Sequence, residues 1–256
     1  TKMNKQIFVI SMINSLKRRD YISKLFKDSN ISFIFFNAFD GFAYTQNDFE
    51  RLFNLSSGEI GCLYSHLNLY KKIIDENIQE AIILEDDIIL SKSFLKFHEN
   101  WIKCKKKPIF DILKLGYSDS QYFIYDQPVN VNVFTTRKYC KLNISRPNEI
   151  SFGSYAYVIT NNGARQMIKL ISKKLAAIDV LLHESPTEGV NLYVATNQNI
   201  FPNFSFDSLI RDVHTHLIVT SKTKDKMLLN HTLSLFKKNF YGYLKSDFYP
   251  HLNNHD

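Results

Sequence analysis

The chain has 256 residues, 45% of them hydrophobic, which is enough for a sizeable core and excludes a disordered chain. A net charge of +7, from 32 lysines and arginines against 25 acids, points to an anionic partner. The basic residues gather around Lys103–Lys107 and in the C-terminal tail rather than in a nucleic-acid module, and no stretch approaches the roughly 20 apolar residues of a membrane span.

Gln6-Ile7-Phe8-Val9-Ile10 reads as a first strand, entered from Met3-Asn4-Lys5 with no secretory signal expected before it. Ser15 is placed to cap a helix from Leu16 to about Lys27, with Leu16, Ile22, Leu25 and Phe26 inward. Ile31 to Phe36 is a second strand. Strand, helix and strand in this order predict an α/β unit with a parallel sheet. Glycine, at eight in the chain, is too scarce for a phosphate-binding glycine loop. The cysteines Cys62, Cys104 and Cys140 are odd in number and widely spaced, so neither a disulfide framework nor a zinc pattern is expected, and a reducing cytosol fits best.

Ser56-Ser57-Gly58-Glu59 carries a capping-box pattern and opens a helix whose core stripe is Ile60, Leu63, Leu67, Tyr70 and Ile74. Glu59, Cys62 and His66 follow one another at three and four residues and share a second face. Ala81-Ile82-Ile83-Leu84 then leads into Glu85, Asp86 and Asp87, and an apolar run resumes. Three adjacent acids are costly inside a core without a cation or hydrogen bonds, so they belong where the strand reaches a cleft. There a carboxylate can hold a divalent ion that also meets a phosphate-bearing ligand. The plain alternatives are a solvated strand end and a helix cap with an edge histidine.

Taken together, Gly58-Glu59-Ile60-Gly61-Cys62 with Ser65-His66, followed by Glu85-Asp86-Asp87, resembles glycosyltransferase family 25, the lipooligosaccharide-type galactosyltransferase family. Val9-Ile10-Ser11 with Arg18-Arg19, Phe39-Asp40-Gly41, Phe110–Gly116 and Gly153–Ile159 are similar to the family's flanking segments, so the likeness covers about residues 6 to 185. The resemblance implies an α/β, GT-A-like single-domain fold with a mostly parallel central sheet, here residues 5–217. It implies transfer of a hexose, galactose from UDP-galactose with inversion to a β-linkage, onto a lipooligosaccharide or other glycan or lipid-linked saccharide acceptor. A divalent cation, Mn2+ or Mg2+, would be held by Asp87; from its residue chemistry rather than the likeness, His214 or else His216 could complete the site, neutral imidazole being a common ligand. Ser11, Arg19, Asp40, Glu85, Asp86 and Gly153 would contact the donor, and Asp179, Glu59 and His66 would be catalytic. The other readings are a nucleotide-sugar-binding protein without turnover and a different metal-dependent phosphoryl enzyme.

Further along, Val131 to Asn148 reads as a polar, irregular acceptor-side loop, and Asn161 or Asn162 as the cap of a helix carrying Ala164, Met167, Ile168 and Ile171. Asp179, in Ala177–Leu182, is an acid among apolar residues, which suits a proton acceptor, although it also suits a helix cap. Asp207, Arg211, His214 and His216 form a later polar group. Residues 218–256 read as a basic amphipathic helix: Leu229, Leu233, Phe236, Phe240 and Tyr243 make its stripe, and lysines cover the other faces. Such a tail would lie on an anionic membrane, placing the protein in the cytoplasm, peripheral on the inner membrane, or would dock on the catalytic domain.

Overall fold

The computed structural model describes residues 4–41, 55–117, 133–147 and 153–206. The chain divides into two units, Thr1–Arg211 and Asp212–Asp256, and every described residue falls in the first. The polar group from Asp207 to His216 and the expected C-terminal helix lie outside the described residues.

Strands β1 (Lys5–Ser11), β2 (Ile34–Asn37) and β3 (Glu80–Glu85) are parallel, with β1 in the middle. Helix α1 (Leu16–Asp28) joins β1 to β2, and α2 (Ser57–Asp75) precedes β3. Beyond the acids, β4 (Ile88–Leu90) leaves the main sheet to pair antiparallel with β10 (Ile200–Pro202), and α3 (Lys92–Lys103) follows it. The sheet is completed by β5 (Ile112–Lys114), the hairpin β6 (Arg137–Tyr139) and β7 (Leu142–Ser145), β8 (Ala156–Thr160) and β9 (Leu192–Ala195). Among the described residues the order is β2-β1-β3-β8-β5-β9-β7-β6, and six of these eight strands run one way while β8 and β7 are reversed. Helices α4 (Asn161–Lys173) and α5 (Ile178–Glu184) link β8 to β9.

Burial follows the two faces of the sheet. Ile7, Val9, Ile82 and Leu84 project one way into a cluster with Ile22 and Phe26 of α1 and Phe94, Phe97 and Trp101 of α3. The alternate residues meet α2, where the fully buried Tyr70 hydrogen-bonds to Tyr157 of β8 at 2.6 Å. Runs buried on both faces, such as Ala81–Leu84, explain why these strands lack polar alternation. At the foot of β3, on the α1–α3 face, the wholly buried Glu80 receives Lys5 of β1 at 3.1 Å, the Trp101 indole of α3 at 2.9 Å and the Tyr139 hydroxyl of β6 at 2.5 Å.

Several local expectations change. Leu16 is 68% exposed, and the buried stripe of α1 is Arg18, Ile22 and Phe26. Ser15 precedes that helix without a side-chain cap bond. Helix α4 is capped by Thr160, whose hydroxyl accepts from the Gly163 amide at 3.0 Å; Asn161 instead donates to the carbonyls of Ile73 and Ile78. Within the expected irregular loop, Val133–Thr135 form a 3-10 turn and residues 137–145 form the β6–β7 hairpin on the sheet edge. Its two turn residues, Cys140 and Lys141, both have positive φ, the backbone of a type I′ turn without the usual asparagine or glycine.

Candidate active site

The carboxyl ends of β1 and β3 open on a cleft of about 500 Å³. Its walls come from Ile10–Met12 at the end of β1, Arg18 of α1, Ala38–Gly41 after β2, the first turns of α2, and Glu85, Asp86 and Asp87. The position is the one α/β sheets use for ligands, beyond the carboxyl ends of strands. The capping box of α2 is present: Ser56 Oγ accepts from the Glu59 amide at 3.3 Å and Glu59 Oε2 accepts from the Ser56 amide at 2.7 Å. The amino end of this 19-residue helix, through Ser57 and Gly58, therefore faces the cleft with its partial positive charge. Gly41 and Gly61 let the 38–41 turn lie against the helix, since a Cβ on Gly61 would stand 2.9 Å from the Phe39 carbonyl oxygen.

The three acids have separate partners. Asp86 is 5% exposed; its Oδ2 accepts from Ser11 Oγ at 2.6 Å and its Oδ1 from Arg18 Nη1 at 2.6 Å. The same Arg18 nitrogen donates to Asp87 Oδ2 at 3.2 Å. Burial, and then the charge of Glu85, push the Asp87 carboxyl up to about 6 even with Arg18 beside it. Burial alone would raise Glu85 as well, but His66, the Ser154 hydroxyl bonded to its Oε1 at 2.7 Å, and Arg18 outweigh burial and hold it below the ordinary range.

His66 is wholly buried. Its Nδ1 meets the Tyr157 hydroxyl at 2.7 Å, and its Nε2, which has no hydrogen-bond partner, points at Glu85 Oε1 from 3.9 Å. Cys62, one turn earlier on α2, completes a group of three ligand atoms lying within 4.8 Å of one another. Burial drives the Cys62 thiol well above its usual value, and Glu85, Asp179 and Asp87 add to the effect.

Of the residues singled out in the sequence, Ser11, Asp40, His66, Glu85, Asp86 and Asp87 line the cleft together. Glu59 does not; its carboxylate is occupied by Ser56. Arg19 also stands outside, pinning the β1–α1 turn through the carbonyls of Ser11 and Met12 and through Asn37, with its guanidinium over Phe35. Arg18 is the cation of the cleft, and its spacing of four and eight from Ile22 and Phe26 is the sequence signal that could have identified it. Gly153 is not in the lining; its positive φ of 96° turns the chain just before Ser154, where the Glu85 hydrogen bond is made. Asp179 lies in the first turn of α5 with its Oδ1 on the Val180 amide at 2.8 Å. It is near enough to act electrostatically on Cys62, Lys114 and His183. Lys114, wholly buried at the end of β5, was not anticipated; burial pulls it down to about 7, with Asp179 opposing. His214 lies outside the described residues.

Comparison with known proteins gives the same direction as the cleft. The model of glycosyltransferase family 25 (LPS biosynthesis protein) matches residues 4–182. Lipooligosaccharide biosynthesis protein lex-1 of Haemophilus influenzae is 26% identical over 275 residues, covering 90% of this chain and 88% of that protein. Procollagen galactosyltransferase 1 of Danio rerio is 21% identical over 194 residues, covering 69% of this chain and 30% of that protein. Among solved structures, a glycosyltransferase involved in the glycosylation of the major capsid of PBCV-1 is similar with a TM-score of 0.42 and 5% identity, covering 90% of this chain and 98% of that one.

Proposed function

The chain belongs to glycosyltransferase family 25 and has a GT-A-like α/β fold, and from that premise we propose that it transfers galactose from UDP-galactose to a lipooligosaccharide-type or other glycan acceptor, inverting the donor to a β-linkage. The observation that carries this reading is the acidic end of β3, Glu85–Asp87, opening on a cleft that also holds Arg18 and the amino end of α2. Galactose is favoured by the procollagen galactosyltransferase relative, and the acceptor class by the Haemophilus protein.

The donor diphosphate is an anion whose charge grows as the sugar–phosphate bond breaks. The helix end is a fixed positive group at the cleft wall that favours it, while the Arg18 guanidinium is already matched by Asp86 and Asp87. Asp86, held from both sides by Ser11 and Arg18, keeps that guanidinium in place. A bound divalent ion, Mn2+ or Mg2+, would supply further neutralisation of the leaving diphosphate. Among the described residues Asp87 fits it best: its carboxylate lines the cleft beside Glu85, and burial, then the charge of Glu85, raise its proton affinity, both of which a cation would offset.

Inversion needs one base opposite the leaving group. We assign it to Asp179, since Glu59 is engaged in the capping box and Asp179, although outside the cleft lining, is near enough to act electrostatically on Cys62 of that lining. The tail of residues 218–256, read as a basic amphipathic helix, is proposed to hold the enzyme against an anionic membrane on the cytoplasmic side. Among the described residues no helix is long and apolar enough to cross a membrane.

The test is turnover across a panel of UDP-sugars and other nucleotide sugars on saccharide acceptors, with and without manganese. Release of UDP from UDP-galactose with a β-linked product is expected. Transfer only from a donor carrying another sugar or nucleotide would overturn the donor assignment.

A further inference from the structure

We propose that Cys62, His66 and Glu85 form a three-ligand site for a borderline-soft divalent ion of the zinc or cobalt class, its fourth position open to the cleft. The site differs from the one assigned to Asp87 in ligand chemistry: it combines thiol, imidazole and carboxylate, where the donor-linked cation would meet oxygen alone. It does not rest on the transferase reading.

The first ground is convergence. The three ligand atoms come from α2 and the end of β3, lie within 4.8 Å of one another, and all border the cleft. A tetrahedral ion with nitrogen and oxygen ligands at about 2.0–2.1 Å sets those two atoms roughly 3.4 Å apart. His66 Nε2 and Glu85 Oε1 are 3.9 Å apart, too far for a hydrogen bond and close to the span of an intervening ion. A side-chain adjustment of about half an ångström closes the difference.

The second ground is the state of His66. A fully buried ring nitrogen without a hydrogen-bond partner is costly, and this one is aimed into the group. The opposite nitrogen, Nδ1, is held by the Tyr157 hydroxyl, itself bonded to Tyr70. That contact suits the outer support of a metal-binding imidazole: in the tautomer with its proton on Nδ1, the ring donates to the Tyr157 oxygen and turns the Nε2 lone pair toward the ion. Glu85 has comparable support: Oε1, the oxygen that faces His66 Nε2, also accepts from Ser154 Oγ at 2.7 Å, which fixes the carboxylate beside the imidazole and leaves that oxygen's other lone pair for the ion. With three protein ligands and the fourth direction facing the cleft, the site has the open geometry of a reactive metal centre.

The full chain, purified reduced and stripped with a chelator, is titrated with Co2+ alone and followed by absorption. A thiolate-to-cobalt charge-transfer band in the near ultraviolet is expected, saturating at one ion per chain and displaced by Zn2+ but not by Mg2+. Cys62→Ser should abolish the band, whereas Cys104→Ser and Asp87→Asn should leave it. His66→Gln and Glu85→Gln retain the thiol and should weaken cobalt affinity about 10-fold or more. Far-ultraviolet circular dichroism accompanies each variant; if Cys62→Ser does not fold, the His66 and Glu85 variants decide. Absence of the band in the wild type, or a band and affinity indifferent to these substitutions, overturns the site. None of these readings uses a sugar donor, so the outcome is independent of whether UDP-galactose is turned over.

Discussion

Replacing Asp87 by asparagine should leave the protein more stable and catalytically dead. In the folded state its carboxyl sits near 6, about two units above an ordinary aspartate, because it is largely buried beside Glu85. Two units correspond to at most about 3 kcal/mol of destabilisation when the group is ionised. Its side chain is 24% exposed, which screens part of that, and the rise of about two units is already net of the attraction of Arg18 at 3.2 Å, so that ion pair is not subtracted again. Arg18 keeps its shorter bond to Asp86. The net gain for Asp87→Asn is therefore about 1–2 kcal/mol above pH 7, or about 2–8 °C in Tm for a chain of this size. A raised carboxyl pKa means that the folded state holds the proton between about pH 4 and 6 while the unfolded state releases it, so the wild type loses stability as pH rises through that window. The difference between variant and wild type should accordingly be full at pH 8, smaller at pH 5, and close to zero below pH 4. Thermal unfolding at several pH values measures it, alongside galactose transfer at saturating donor, which should be lost. A variant less stable than wild type at pH 8, or one with normal turnover, refutes the reasoning.

Proton NMR of the first product formed should show a β-anomeric linkage; an α signal would exclude single displacement. Asp179→Asn should lower turnover by roughly a hundredfold or more with donor binding preserved, while Glu59→Gln should cost about 1 kcal/mol through the α2 cap and leave turnover within a few-fold; turnover lost only at Glu59 would move the base to the helix. Lys114, buried with its pKa down to about 7, takes up a proton less readily folded than unfolded, so the wild type should lose stability as pH falls from about 10 to 7. Lys114→Met should flatten that slope in denaturant titrations, and an unchanged slope would show that another group sets it. Gly116→Ala should destabilise by about 1–3 kcal/mol, because a Cβ there would stand 2.7 Å from the Ile200 carbonyl oxygen and collide with the Tyr155 ring; an unaltered Tm would mean that the β4–β10 ribbon shifts freely.

The parts of the fold visible in the sequence are those where one residue's chemistry dictates one local conformation. Ser56 and Glu59 are legible as a capping box because two side chains and two amides fit at that spacing alone, and the box is there. The acids after Leu84 are legible as a cleft edge because burial without partners would be prohibitive. What sequence inspection missed depends on partners distant in the chain. Choosing Arg19 over Arg18 needs the helix phase: one step along a helix turns a side chain by about 100°, from the Phe35 ring to the cleft acids. Ser154 acquires meaning only because β8 runs antiparallel to β3 and brings its start beside the end of Glu85's strand. The hairpin at 137–145 lacked its usual turn residues, so a polar stretch read as loop although its strands pair with the sheet edge.

The two ends of β3 contrast in a way that bears on motion. Its foot, at Glu80, is clamped by Lys5, Trp101 and Tyr139 from three separate elements, so detaching Lys5 strands a buried charge and detaching either ring removes a hydrogen bond from it. Its tip, about 16 Å away along the strand, ends in carboxylates that share one guanidinium and a cleft. A strand held so firmly at one end cannot slide to accommodate a ligand. Adjustment is confined to the link at Asp86 and Asp87, where β3 gives way to β4 and the main sheet to the two-stranded ribbon. Amide protons near Glu80 should then exchange only through global unfolding, while those past Leu84 exchange through local openings that a bound donor suppresses. The enzyme would respond to its substrate as a stiff beam with a short, compliant tip.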